Sequence, residues 1–177
     1  GAAGMPVERR FGSLRLMRPM LDVSRAEIEG YALAEGLTWI TDESNADTTL
    51  TRNFLRHEAL TAISQRFPAA EASLALAASH FAEAAGLLDE LAEQDWRLVC
   101  EGDAARMRPL RELSLPRLKN LLRHRLRCLG WQVPVASRLE EFARQLQSAA
   151  PDRHPELRLP DGKMRVAGGL LHWLSEK

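Results

Sequence analysis

Residues 39–56 read Trp-Ile-Thr-Asp-Glu-Ser-Asn-Ala-Asp-Thr-Thr-Leu-Thr-Arg-Asn-Phe-Leu-Arg, an unusually polar stretch with one aromatic residue near each end. A segment with so many charges and amides cannot form a hydrophobic core by itself. We therefore interpret it as a site, and the helical patterns around it as its scaffold. Its polar side chains fall within fifteen positions: Asp42, Glu43, Ser44, Asn45, Asp47, Arg52, Asn53 and Arg56.

The two arginines of this stretch are four residues apart, in a helix that we predict from about residue 52 to residue 66. At that spacing Arg52 and Arg56 share one helix face, and paired guanidinium groups suit bidentate contacts with phosphate. The Asp and Asn residues before the helix have a simpler explanation, because such side chains cap helices and bend loops. Asp47 and Thr51 are the candidate caps. The residues alone leave both interpretations open.

The charge of the chain is zero overall but unevenly distributed. Residues 1–95 hold 8 Lys and Arg against 15 Asp and Glu, whereas residues 96–177 hold 16 against 9. This asymmetry favours two bodies, of which the second could present a positive surface to nucleic acid. The alternative is a solvated surface with chance asymmetry. An apolar content of 45% is enough for a core, and no apolar run approaches membrane-spanning length.

The periodicity predicts a mainly α chain with small β elements. Ser24 and Glu27 form a capping box that opens a helix ending at Gly36. The longest helical pattern covers residues 69–96 and would connect the two bodies. Residues 1–12 are expected to be a loop, with the remaining helices at 115–129 and 136–148 and short strands at 14–17, 97–100, 106–108, 157–159, 163–166 and 170–173.

The helix at 115–129 carries a basic stripe beside its leucines. Lys119, Arg123 and Arg127 are spaced by four, and Arg117 lies next to them. A stripe of this kind can follow a phosphate backbone, with an affinity that falls steeply with salt. An ordinary solvated helix face has the same pattern and remains the alternative.

The cysteines and histidines show no metal-ligand spacing, so no metal site is predicted in the chain. We expect Cys100 and Cys128 to be buried thiols of a cytoplasmic protein. Trp131 and Trp173 are interpreted as core residues rather than base-stacking platforms. His57, a single histidine on a helix, is interpreted as structural.

The polar stretch, read as a pattern, resembles the bacterial tRNA(Ile)-lysidine synthases. The matching residues are Trp39-x-x-Asp42-x-Ser44-Asn45-x-Asp47, followed after four residues by Arg52-Asn53-Phe54-Leu55-Arg56. Weaker similarity extends to both sides, so that the resemblance covers essentially the whole chain. These weaker segments are Gly4-Met5-Pro6, Arg18-Pro19-Met20-Leu21, Leu87-Leu88-Asp89-Glu90-Leu91, the basic helix and the last strands to Trp173.

The resemblance implies an ATP-dependent ligase that joins free lysine to C2 of the wobble cytidine of tRNA(Ile) with a CAU anticodon. It implies ATP and Mg²⁺ as cofactors of the full enzyme. It also implies catalytic roles for Asp42, Asn45, Asp47, Arg52, Asn53 and Arg56, and tRNA contacts for Lys119, Arg123, Arg127 and Arg117. The expected organisation is the end of an α/β ATP-pyrophosphatase domain (1–66), a connecting helix (67–96) and a small helical/α+β tRNA-binding domain (97–177).

That family binds ATP with a Ser-Gly-Gly-x-Asp-Ser loop, which this sequence does not contain. The chain is therefore expected to correspond to the C-terminal portion, without tight ATP binding or turnover of its own. A non-catalytic helical RNA-binding or adaptor module is the alternative. A tRNA thiolase is a third option, but the two cysteines are not paired as those enzymes require. The oligomeric state is undecided, and a homodimer is compatible with the sequence.

Overall fold

The computed structural model describes residues 2–11, 14–40, 42–150 and 153–175. It divides into two compact units, Gly1–Ala84 and Ala85–Lys177. The chain is mainly helical, with two small antiparallel sheets, as the sequence predicted.

The first unit contains a hairpin followed by helices. The hairpin pairs β1 (Glu8–Phe11) with β2 (Leu14–Met17), with Glu8 opposite Met17. The expectation of a loop over residues 1–12 was therefore wrong at β1. The charged residues of β1 gave no sign of a strand in the sequence. The strand forms by pairing with β2, and Arg15 of β2 contacts Glu8 at 2.7 Å.

The predicted capping box begins α1 (Arg25–Ala34). Ser24 accepts from the Glu27 N–H, and the Glu27 carboxylate accepts from the Ser24 N–H at 2.7 Å. Gly36 follows the helix with φ +64°, which a residue without Cβ adopts at little cost. Both helix ends were thus correctly predicted, because their signals are local.

The helix predicted at 52–66 is a succession of three helical segments. They are α2 (Thr51–Phe54), a π-helical turn (Leu55–Ala59) and α3 (Leu60–Arg66). A 3-10 turn, Glu43–Ala46, precedes them. Phe67 ends α3, as expected before Pro68.

Little of the first unit is buried. Asn53, at 5% exposure, is the one described residue of 1–84 in the buried class. Apolar side chains lie open instead, with Ile40 at 95% exposure.

The long helix α4 (Ala70–Val99) confirms the predicted helical stretch and extends it by three residues at its end. The division between the two units falls inside it. Leu74, Phe81 and Leu88 share the predicted apolar face but are exposed, and the buried residues of α4 are Ala92, Asp95 and Val99.

The second unit packs helices on a five-stranded antiparallel sheet in the order β3-β4-β7-β6-β5. Its strands are β3 (Cys100–Glu101), β4 (Ala104–Arg106), β5 (Glu156–Leu159), β6 (Gly162–Ala167) and β7 (Leu170–Ser175). Its further helices are α5 (Met107–Glu112), α6 (Leu115–Cys128) and α7 (Ala136–Ser148). The predicted strands at 97–100 and 106–108 were largely wrong, because residues 97–99 continue α4 and residues 107–108 begin α5.

The hydrophobic core of this unit joins the leucines of α6 and α7 to the inner face of the sheet. Trp131 and Trp173 are partly buried against it, in agreement with their interpretation as core residues. The cysteine expectation was wrong for Cys128, which is exposed, while Cys100 is half-buried. Cys128 lies in the last turn of α6, beyond the buried leucines of that helix.

Candidate functional site

The polar loop of the first unit is folded by its own carboxylates. Asp42 caps the 3-10 turn, and its Oδ1 accepts from the Ser44 N–H at 2.9 Å. Hydrogen bonding from Ser44, first from its side chain and then from its backbone, holds the pKa of Asp42 below its usual value. These hydrogen bonds therefore favour the ionised form of the carboxylate.

Asp47 forms the second bend of the loop. Its Oδ1 accepts from the Thr49 hydroxyl at 2.6 Å and from the Thr49 N–H at 2.9 Å. These contacts lower the pKa of Asp47, the side-chain bond contributing most. Asp47 or Thr51 was expected to cap α2, and this prediction was wrong, because neither residue is the cap. Its N-cap is Leu50, which provides no side-chain hydrogen bond.

Asn53 fastens the loop to the helix that follows. Its buried Nδ2 donates to the carbonyl of Ser44 at 2.8 Å and to that of Asp47 at 2.9 Å. His57 adds a second link, with Nε2 at 2.9 Å from the carbonyl oxygen of Asn45. A carbonyl only accepts, so this contact requires the proton on Nε2. His57 has the structural role that the sequence indicated.

Arg52 and Arg56 project from this clamped segment. Both are exposed, and neither guanidinium group has a hydrogen bond or ion pair with any described residue. Arg56 lies in the π-helical turn, where the Leu60 N–H donates to Leu55, five residues back. Such turns are often found at functional sites, and the sequence carried no signal for this one.

The four cations predicted to contact RNA in the second unit differ in their surroundings. Lys119 Nζ lies 2.8 Å from Glu140, and Arg127 pairs with Asp89. Arg117 pairs with the fully buried carboxylate of Asp95, which raises the pKa of Arg117. Arg123 has no carboxylate partner within the described ranges. Three of the four cations are thus already neutralised by α4 or α7.

Arg125 forms a stack that sequence reasoning missed. Its guanidinium carbon lies 4.3 Å from the ring centre of Trp96 and 5.9 Å from that of Trp173. The two indoles meet edge to face at 5.6 Å. Desolvated cation–π contacts of this kind are worth about 2 kcal/mol. The spacing of the basic stripe gave no hint of this role, because both rings come from other elements.

The part of the chain that the structure describes groups no three His, Cys, Asp or Glu side chains that could hold a metal ion. Within the same residues, no helix combines the length and apolar character needed to cross a bilayer.

Two family models match the chain, one in each unit. Residues 1–63 match the PP-loop domain, and residues 106–172 match the TilS substrate binding domain. The chain thus combines a region of the PP-loop class with a substrate-binding domain. The first match agrees with the predicted end of an α/β ATP-pyrophosphatase domain.

Three relatives of the chain share one name, tRNA(Ile)-lysidine synthase. The chain is 40% identical over 177 residues to the tRNA(Ile)-lysidine synthase of Nitrosomonas europaea, covering 98% of this chain and 39% of the relative. It is 40% identical to that of Pseudomonas putida and 34% identical to that of Coxiella burnetii, over 99% and 96% of this chain and 42% and 39% of those relatives. The chain belongs to the tRNA(Ile)-lysidine synthase family, as its polar stretch predicted. It spans about two fifths of the length of these relatives.

Proposed function

We propose that the whole protein is an ATP-dependent ligase that joins lysine to C2 of the wobble cytidine of tRNA(Ile) with a CAU anticodon. ATP would adenylate the C2 oxygen and release pyrophosphate. The amine of lysine would then attack C2 and release AMP. The observation that carries the proposal is the clamped loop of residues 42–50, which presents Arg52 and Arg56 without carboxylate partners among the described residues.

In this proposal Arg52 and Arg56 bind phosphate, either of ATP or of the anticodon-loop backbone. Their exposed, unpaired guanidinium groups support this role, because such groups bind phosphate oxygens in bidentate fashion. Asp42 and Asp47 would hold the ammonium of lysine or orient a Mg²⁺-bound water. Each hydrogen bond to these carboxylates falls on Oδ1. Carboxylate oxygens are the ligands that both cations prefer.

The two asparagines have different parts in the proposal. Asn53 holds the loop in place, which its two short contacts support. Asn45 is exposed, and its side chain is assigned to the base edge. The proposal includes the domain division 1–66, 67–96 and 97–177, a cytoplasmic location, and tRNA binding along α6. On α6, Arg123 would bind a phosphate directly. Lys119, Arg127 and Arg117 would bind a phosphate in place of their present carboxylate partners.

The test is lysidine formation by the whole protein carrying Arg56→Ala. We expect a loss of about tenfold or more, because a charged hydrogen bond to phosphate is removed where charge develops. Arg66→Ala is the matched control, since Arg66 ends α3, directly after the π-helical turn that carries Arg56, and its guanidinium lies over the Phe67 ring. Activity within twofold of the unchanged protein would exclude the assigned role of Arg56. Tight tRNA binding without any lysidine product would favour a non-catalytic RNA-binding module.

A further inference from the structure

A basic cavity lies in the second unit, away from the ion-paired face of α6. Its volume is about 440 Å³. The described residues that line it include four with cationic or N–H-donating side chains and none with a carboxylate. These four are Arg108, Arg111, Arg153 and His154.

Arg111 is held in place by the protein itself. Its Nε donates to the carbonyl of Leu146 at 3.0 Å, and a terminal nitrogen donates to that of Ala149 at 2.9 Å. These carbonyls end α7, where cations are favoured by the helix dipole. Two of its five N–H donors are thereby used, and three remain. Arg111 is therefore a fixed positive charge at the edge of the cavity.

Arg108, Arg153 and His154 are free to bind a ligand. None of them has a side-chain hydrogen bond or an ion pair with a described residue. This contrasts with α6, where three of the four cations predicted to bind RNA already form ion pairs with carboxylates. An anion entering the cavity would meet these cations without displacing a carboxylate of any described residue.

The floor of the cavity is apolar and buried. Met107 and Val166 belong to the hydrophobic core, and the Met107 N–H donates to the Gly169 carbonyl at 2.9 Å. A second cavity, of about 730 Å³, shares Arg153 and His154 with the first and is also lined by Ser148, Pro155 and the carboxylate-bearing Glu141. The first cavity, whose described lining contains no carboxylate, is therefore the better site for an anion.

We propose that this cavity binds a phosphate group of an RNA backbone, with the adjoining sugar on the apolar floor. The proposal rests on the proposed function, since it names a contact point for the tRNA substrate. It adds a contact at Arg108, Arg153 and His154 to those proposed along α6. RNA of this kind is held by its shape and its phosphates.

The test compares the whole chain with the double variant Arg108→Gln/Arg153→Gln. Binding of a tRNA transcript with a CAU anticodon is followed by fluorescence anisotropy over a range of salt concentrations. We expect affinity to fall about tenfold or more, as for lost charged hydrogen bonds. The logarithmic salt slope should become shallower by about 1 for each arginine. Arg97→Gln is the control, because Arg97 is an exposed arginine of the same unit outside this cavity. It should bind within twofold of the unchanged chain.

A second measurement uses inorganic phosphate alone, with NMR signals of the His154 ring as the readout. Phosphate should shift these signals in the unchanged chain and leave them unmoved in the double variant. Equal tRNA affinity and salt slope in the two proteins would overturn the proposal. If the unchanged chain binds no tRNA, the RNA partner of the proposed function fails for this chain. A phosphate-dependent His154 shift would then assign the cavity to a free phosphate compound, and no shift would reject an anion site.

Discussion

Asn53 joins the loop of the candidate site to the helix that follows it. Its side-chain amide is buried between two loop carbonyls, at 2.8 and 2.9 Å. Both carbonyls also accept a backbone N–H, from Asp47 and from Leu50, so the cost that these bonds avoid is that of leaving the buried Asn53 donor without a partner, about 1–3 kcal/mol. Asn53 thereby sets the distance between the loop that carries Asp42 and Asp47 and the helix that carries Arg52.

Replacing Asn53 with Asp tests this role with almost no change in shape. The carboxylate has no N–H to give and would face two carbonyl oxygens. We expect the loop to detach and its amide protons, from Ser44 to Leu50, to exchange at least tenfold faster with solvent. Asn45→Asp is the matched control, because Asn45 is exposed and its link to His57 uses the backbone. Unchanged exchange in the Asn53 variant would show that the loop holds its shape without the clamp.

Residues whose partners are close in sequence were predictable. The capping box of Ser24 and Glu27 and the stop at Gly36 were correct, because each signal lies within one turn of the helix it ends. The prediction that Asp47 or Thr51 caps the helix was wrong. The Asp47 side chain accepts from Thr49 in its own loop, and the loop is joined to the helix by Asn53, which donates to the Asp47 carbonyl six residues earlier.

At the scale of elements, α6 shows why a charge stripe on one helix does not define a binding face. Its basic residues were correctly placed in a helix with leucines on its buried side. Their carboxylate partners are Asp89, Asp95 and Glu140, which lie 21 to 38 residues away in α4 and α7. No periodicity within α6 could reveal them. The basic cavity beside α5 escaped sequence reasoning for the same reason.

The contact between α6 and α7 should depend on pH. Hydrogen bonding from Lys119 first, then from Arg144, lowers the pKa of Glu140 from its usual value near 4.5 to about 2. A carboxyl whose pKa is lower in the folded state stabilises the fold above its unfolded pKa. This stabilisation is lost as pH falls from 4.5 towards 2.

Urea unfolding of the unchanged chain and of Glu140→Gln, measured between pH 6 and pH 2.5, would show this loss. The unchanged chain should have the higher unfolding midpoint at pH 6, and the difference should shrink steadily below pH 4.5. Glu141→Gln, one residue along α7, should show no comparable shrinkage. If the difference in unfolding midpoint between the unchanged chain and Glu140→Gln stayed constant across this range, the ion pair would contribute nothing to the stability of the fold.

At the scale of the whole molecule, the two units differ in how much they bury. A single cluster holds eighteen buried apolar residues, from Val99 to Leu171, all in the second unit. Among the described residues of 1–84, the buried class contains Asn53 alone. The sequence predicted two bodies from the change of charge, which carries no information on how much each of them buries. Helical spacing shows which residues share a face and not whether anything covers that face.

This difference predicts unequal resistance to proteolysis within the isolated chain. Local opening requires little free energy where few apolar contacts are broken, and cleavage follows the population of open forms. Thermolysin should therefore cut first at the exposed apolar residues of the first unit, such as Ile40 and Leu37, leaving a stable product that contains residues 107–171. Mass spectrometry over time identifies the product. The amide protons of α6 should exchange far more slowly than those of α1. Equal protection of α1 and α6, or first cuts inside residues 107–171, would show that the first unit is stabilised by more than the contacts seen within it.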